Sequence, residues 1–283
     1  MMTAPCSWPE SLGEYLVAES IRILYIATIN DTPAANATDH LCLSRETTNM
    51  SGRGLLAMPI FLWLTGAVSV PADEPLHQPP AGFVALFNGR DLSGWKGLVG
   101  NPKSRAAMKP EELAAAQQAA DEKMRAHWKV VDGILVFDGR GDNLCTARDY
   151  GNFELYCDWK IERGGDSGLY LRGTPQVQIW DTEHEPYFKL GADKGSGAFW
   201  NNQKHPRFPL AKADKRAGEW NTFWIRLVGE KATIKLNGVL VVDDTVLENY
   251  WERDQPLYPR GSIELQNHGN TLYFRNIYLK ELP

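Results

Sequence analysis

Apolar and polar residues alternate with a period of two through most of the chain beyond residue 126. NFELYCDWKI reads as one long strand, and HWKVVDGILVFDG as a hairpin turning at Asp132-Gly133. WNTFWIRLVGEKATIKLNGVLVVDD predicts a three-stranded meander, with turns at Gly229-Glu230 and Asn237-Gly238. Asn-Gly favours such turns because both central residues need positive φ. GSIELQNHGNTLYFRNIYLKEL predicts a further hairpin about Gly269-Asn270. Upstream, GFVALFNGRDLSGW pairs a short strand with an Asn/Gly/Asp-rich turn. Helical periodicity is clear only in PEELAAAQQAADEKMRA, residues 110–126. Pro110 suits the first helical position, Glu111 and Glu112 its positive end, and Lys123 and Arg125 the other. Leu113, Gln117, Ala120 and Met124 make a weak apolar face, so this helix reads as a surface insertion. The pattern predicts an all-β fold, a two-sheet antiparallel sandwich with one helical insertion near 110–126.

The amino-terminal third obeys different rules. Residues 1–49 show no periodicity, and Met50 and Arg53 precede an apolar run, Leu55 to Val70, too short for a comfortable span. We read 1–49 as a mis-called extension, 50–72 as an export signal peptide, 73–81 as a linker and 82–283 as the jelly-roll domain. The protein is then exported, periplasmic or extracellular, and meets the membrane only through that signal; an uncleaved anchor is the alternative. The formal net charge of −5 over 283 residues comes without a basic block, which argues against a nucleic-acid partner. Four cysteines lack a Cys-x-x-Cys spacing, against a thiolate zinc site. Cys145 and Cys157 flank a turn, either as a cross-strand disulfide or as two buried thiols.

Strand alternation also sorts the polar residues. It groups Glu264, Gln266 and His268 on one face of GSIELQNHG, Tyr170 with Arg172 on LYLRG, and Gln176, Gln178 and Trp180 on QVQIWD. Glu154, Tyr156, Asp158 and Lys160 share a face of NFELYCDWKI. Burying such groups unpaired costs several kcal/mol, so these faces are either solvated or line a cleft. Gln, Asn, Arg, Tyr and Trp, unlike the Thr233 and Lys235 of the meander, are residues that hydrogen-bond to and stack on a polyol. Ten Trp, ten Tyr and ten Phe add flat faces suited to sugars as well as to a core. A two-carboxylate glycosidase is the weaker reading. Glu154 and Asp158 lie about 13 Å apart along a strand, against the roughly 5–9.5 Å that mechanism needs. In DTEHE, Asp181, Glu183, His184 and Glu185 are ligand-type residues without a fixed metal spacing.

FVALFNGRDLSGW, HWKVVDGIL, NFELYCDWKI, GGDSGLYLRG, QVQIWD, GSGAFWNN, GEWNTFWIRLVGEKATIKLNGVLVVD, ENYW and GSIELQNHG, followed by FRNIYLKEL, together resemble the 3-keto-disaccharide hydrolase family. The resemblance runs from about residue 82 to the end and implies a concanavalin-like (laminin-G-like) antiparallel jelly roll. Segment 103–127 looks like an insertion found in part of that family. The implied substrate is an oxidised (3-keto) glucoside or disaccharide, and the implied activities are 3-keto-glucoside 1,2-lyase and 3-keto-2-hydroxyglucal hydratase. A non-catalytic carbohydrate-binding jelly roll is the alternative, since a fold does not carry its chemistry.

The implied chemistry assigns roles. A C3 ketone acidifies the C2 proton, so the site needs a base, a group for the enolate oxygen and a donor for the leaving oxygen. His268 is the candidate acid–base and Arg172 the candidate for the enolate oxygen. Asp158, Asp166 or Asp181 would orient or shuttle protons. Gln178, Gln266 and Asn201 would bind hydroxyls, and Trp200 and Tyr170 would stack. No cofactor is required; a divalent metal would serve as a Lewis acid, with Asp181 and His268 as candidate ligands. The reading needs Arg172 and His268 within a sugar's width of each other.

Overall fold

In the computed structural model the structure describes residues 76–174 and 176–283. The proposed extension and export segment therefore lie outside the described residues. In chain order the elements are β1 (Val84–Ala85), β2 (Trp95–Gly97), α1 (Pro102–Ala106), α2 (Pro110–His127), β3 (Trp128–Val131), β4 (Ile134–Asp138), β5 (Leu144–Thr146) and β6 (Phe153–Ile161). There follow β7 (Asp166–Tyr170), β8 (Gln176–Trp180), two short 3₁₀ turns (Glu185–Leu190 and Ala192–Lys194), β9 (Asn221–Val228), β10 (Lys231–Leu236), β11 (Val239–Val246), β12 (Glu264–Leu265) and β13 (Thr271–Glu281).

The strands form two antiparallel sheets. The large sheet runs β11-β10-β9-β6-β13-β4-β3, with β1 also on β13; the small sheet runs β2-β5-β12-β7-β8. Long strands made the large sheet, with inward and outward residues alternating most regularly through β9 and β10. Phe153, Leu155, Cys157 and Trp159 of β6 point inward with Phe223, Ile225 and Leu227 of β9, all essentially inaccessible. The small sheet answers with Leu169, Val177, Ile179, Ile263 and Leu265. Fully burying one such side chain is worth roughly 1.5–3 kcal/mol, so the two inner faces hold the sandwich together. Cys145 and Cys157 are buried free thiols on β5 and β6, in different sheets, which removes the disulfide alternative.

The predicted hairpins at Asp132-Gly133 and Asn237-Gly238 form with the positive φ they require. The one about Gly269-Asn270 does not form. β12 pairs with β5 and β7, whereas β13 pairs with β1, β4 and β6, so residues 266–270 carry the chain from one sheet to the other. A turn signal fixes where the chain bends, but not which strand it meets next. The insertion helix α2 starts at Pro110 as its sequence requires, and only Met124 of it is buried. Its backbone comes so near β2 that a Cβ on Gly97 would lie 2.1 Å from the Ala120 carbonyl oxygen. Glycine is the residue that allows that approach.

Candidate active site

The outward face of the small sheet carries the polar residues. Register places Asp166 opposite Trp180, Gly168 opposite Gln178 and Tyr170 opposite Gln176. On the other flank Glu264 lies opposite Tyr170, and the Gln266 amide donates to the Gly168 carbonyl at 2.9 Å. Side chains of alternate residues therefore rise from three neighbouring strands on one face. They line a cleft of about 240 Å³ with Asp166, Tyr170, Gln176, Gln178, Gln266 and His268 on its floor. Trp200, Asn201 and Tyr250 reach it from loops.

One network ties the floor together. The Gln176 amide nitrogen donates to Gln266 Oε1 (2.6 Å) and Gln178 Oε1 (2.9 Å), and Tyr170 donates its hydroxyl proton to Gln176 Oε1 (3.2 Å). Gln178 Nε2 in turn donates to Asp166 Oδ1 at 2.6 Å. The other Asp166 oxygen stands 3.7 Å from His268 Nδ1. The His268 side chain is 55% exposed, while that of Asp166 is 9% exposed. The imidazole is thus open to a ligand, with its carboxylate partner held behind it. Gly168 makes room for the network, because a Cβ there would lie 2.6 Å from Gln176 Cγ and Nε2.

Burial pushes the Asp166 carboxyl up, against the pull of His268 and of the Gln178 amide. Burial, aided by Glu264, also raises the Tyr170 phenol well above its ordinary value, so Tyr170 remains a neutral donor at physiological pH. Glu264 lies beside it in the sheet, 3% exposed; burial pushes its carboxyl up to about 7, opposed by Arg105 and the Ser262 hydroxyl.

The loops are fastened rather than draped. Gln178 exchanges backbone hydrogen bonds with Ala198 and Gly197, each at 2.8 Å, and Asn201 Oδ1 accepts from the Gln176 backbone at 2.9 Å. Trp200 meets Trp180 edge to face at 5.6 Å, and the Arg207 guanidinium covers its ring at 3.6 Å. Tyr250 is anchored through its backbone N–H on Thr174 Oγ1 (2.9 Å).

Of the candidate site residues, the cleft gathers His268, Asp166, Tyr170, Gln178, Trp200, Asn201 and Gln266. Arg172, Asp158 and Asp181 do not line it. Arg172 is the main correction. β7 ends at Tyr170, and Arg172 has φ +56°, a turn that breaks the alternation grouping it with Tyr170. From Asp166 to Arg172 is about 20 Å of chain, so His268 and Arg172 sit towards opposite ends of β7. The buried guanidinium donates to the carbonyls of Gly151 (2.9 Å) and Tyr258 (3.2 Å) and to Asn152 Oδ1 (3.2 Å), which is a structural use. Asp158 belongs to the large sheet, where it accepts from Thr222 Oγ1 (2.6 Å), Asn276 Nδ2 (2.9 Å) and Arg275 Nε (3.3 Å). Asp181 accepts from the backbone of Gly164 (2.8 Å) and Glu183 (3.0 Å) and so fixes two turns.

No group of three His, Cys, Asp or Glu side chains converges among the described residues. Of the candidate ligand pair, His268 lines the cleft, whereas Asp181 lies outside its lining with both oxygens accepting from backbone N–H groups. Four lining residues, Gln176, Trp180, Leu190 and Tyr250, had no role assigned from the sequence. Alternation placed Gln176 on the polar face without separating the network's hub from its neighbours. Tyr250 sits on a loop, where no periodicity speaks.

Comparison with known proteins agrees with this architecture. Residues 82–280 match the model of the 3-keto-alpha-glucoside-1,2-lyase-like domain. A Bacteroides thetaiotaomicron protein named 3-keto-disaccharide hydrolase is 24% identical over 260 residues, covering 71% of this chain and 79% of its own. A Parabacteroides distasonis protein provisionally assigned as a glycosyl hydrolase superposes with a TM-score of 0.53 at 23% identity, over 71% of this chain and 95% of its own. A second crystal structure so described from that organism gives the same TM-score and identity, over 72% and 85%. With about 70% of its length matched, and the match spanning both sheets and the cleft, the chain belongs to the 3-keto-alpha-glucoside-1,2-lyase-like domain family.

Proposed function

We propose that this protein is an enzyme acting on sugars, and that it cleaves 3-keto-glycosides in the cleft around His268. The observation that carries the reading is the open imidazole of His268 backed by the buried Asp166 carboxylate, which is itself fixed by Gln178. An imidazole so placed takes a proton at its outer nitrogen, and the carboxylate stabilises the cation that results.

In the first step His268 removes the proton from C2 of the bound sugar. The C–H electrons form a C2=C3 double bond, and the C3 carbonyl becomes an enolate oxygen. Arg172 is not in the cleft to meet that charge. Its place falls to the Asn201 side-chain amide, whose oxygen is held by the Gln176 backbone and whose nitrogen donates to no protein acceptor among the described residues. The ketone then re-forms, the electrons move to C1=C2 and the C1–O bond breaks. The leaving oxygen takes the proton from His268. The product is a 3-keto-2-hydroxyglucal. Addition of water, hydroxyl to C1 and proton to C2, completes a net hydrolysis. Trp200 and Tyr250 supply faces for a sugar ring. The apolar run at 55–70 supports export, which would bring the enzyme to its glycosides outside the cytoplasm.

The test is turnover of a 4-nitrophenyl 3-keto-glucoside by the full chain, followed by release of nitrophenolate and by the absorbance of the conjugated enone. Exchange of deuterium at C2 should accompany it. Binding without release, with and without added divalent metal, would replace this reading by that of a carbohydrate-binding domain.

A further inference from the structure

A second hollow opens on the same outward face of the small sheet. Lys96, Cys145, Glu264, Tyr170 and Gln176 are successive cross-strand partners from β2 to β8. The His268 cleft takes the Tyr170 and Gln176 end of this row, and the second hollow takes the Lys96 and Cys145 end, with Glu264 between them. The second hollow holds about 480 Å³, and the helical insertion forms one wall through Arg105, Leu113 and Gln117.

Its charge is one-sided. Lys96, Arg105, Arg172 and Arg260 line it against a single carboxylate, Asp149. Arg172 is spent on its protein acceptors, but the others keep free donors. Lys96 makes no side-chain hydrogen bond among the described residues. Arg105 uses one nitrogen on the Val99 carbonyl (2.9 Å), and its other terminal nitrogen is 4.0 Å from Glu264. Arg260 uses one nitrogen on the Asp149 carbonyl (2.8 Å), the same nitrogen lying 3.8 Å from Glu281. Because burial pushes the Glu264 carboxyl up to about 7, it cancels only part of this charge near neutrality. Cations that keep free donors, and whose nearest carboxylates stand 3.8–4.0 Å away, favour an added anion in a concave wall, and guanidinium forks suit carboxylates.

Shape narrows the class. The hollow is far larger than a free inorganic anion needs. It also carries apolar surface from Leu98, Val99 and Leu113 beside the polar groups of Gln117 and Tyr258. A sugar ring presents that mixture of C–H faces and hydroxyls. We propose that this hollow binds the carboxylate-bearing ring of an acidic saccharide, with Lys96, Arg105 and Arg260 holding the carboxylate. The site is distinct from the His268 cleft and does not depend on the reaction assigned there.

Calorimetric titration of the full chain tests it, with methyl β-D-glucuronide as probe, methyl β-D-glucoside as its neutral match and inorganic phosphate as the free anion. The glucuronide should bind at least about tenfold more tightly than either. Lys96→Gln combined with Arg260→Gln should weaken it by at least about tenfold, while circular dichroism and turnover of a neutral substrate stay unchanged. Should that pair unfold, Lys96→Gln alone should still weaken binding severalfold. His268→Ala should leave glucuronide binding intact, which separates this site from the cleft. Equal binding of glucoside and glucuronide would overturn the proposal. So would phosphate binding as tightly as the glucuronide, or glucuronide binding indifferent to the lysine and arginine substitutions.

Discussion

His268 Nδ1 stands 3.7 Å from Asp166 Oδ2, at the point where the chain leaves β12 and β7 begins. The histidine is exposed and the aspartate buried, so solvent or substrate reaches only one end of the pair. His268→Ala should lower cleavage of a 3-keto-glucoside by about 10²–10⁴-fold, the usual worth of positioned acid–base catalysis. Its thermal midpoint should scarcely move, because a half-exposed loop residue carries little packing. A loss below tenfold in steady-state rate would remove His268 from the role of base.

Asp166→Asn keeps the shape of the side chain and deletes its charge. The rate should fall toward that of His268→Ala, with KM changed much less than kcat, because the carboxylate acts on the imidazole and not on the sugar. A purely structural Asp166 would instead show a lowered melting temperature with kcat preserved.

Arg172→Ala should behave in the opposite way. It leaves the Gly151 and Tyr258 carbonyls without this donor, while Asn152 Oδ1 keeps the Gly229 N–H. Each unsatisfied buried acceptor costs roughly 1–3 kcal/mol, so a loss of several kcal/mol in denaturant unfolding is expected. Any protein that still folds should retain much of its activity. A stable but inactive variant would return Arg172 to the chemistry.

Glu264 sets a pH dependence of stability. Its folded carboxyl is raised from 4.5 to about 7, so between those values the folded state binds more protons than the unfolded one. Stability from this group is complete below pH 4.5 and lost as pH rises through 7, a difference of about 3 kcal/mol. Burial raises Asp166 and Asp214 as well, which tilts the curve the same way. Glu264→Gln should flatten the fall in melting temperature between pH 5 and pH 8; an unchanged slope would show that the carboxyl titrates normally.

Gly168→Ala would drive a methyl group into the Gln176 side chain. The hub of the network must then move, and with it Gln178 and the carboxylate behind His268. Activity should fall by tenfold or more while the fold survives, since Gly168 faces the cleft and not the core. Wild-type turnover in this variant would show that the amide network does not position Asp166.

The sequence by itself determined the strands, the turns with positive φ, the insertion helix and the polar face of the small sheet. Those follow from local rules: side chains alternate along a strand, and only certain residues fit certain turns. Gln178, Gln266 and His268 were placed on their face by counting alone. Tertiary structure decided where the counting stops. Arg172 turns away because its strand ends two residues earlier, a fact set by the φ of one residue and by acceptors from residues 151, 152 and 258. Asp158 carries as polar a pattern as Gln178, yet it lies on the other sheet. Which sheet a strand joins depends on pairing across more than a hundred residues, as for β13 with β6. Alternation says that a residue faces outward; only the packed molecule says what it faces.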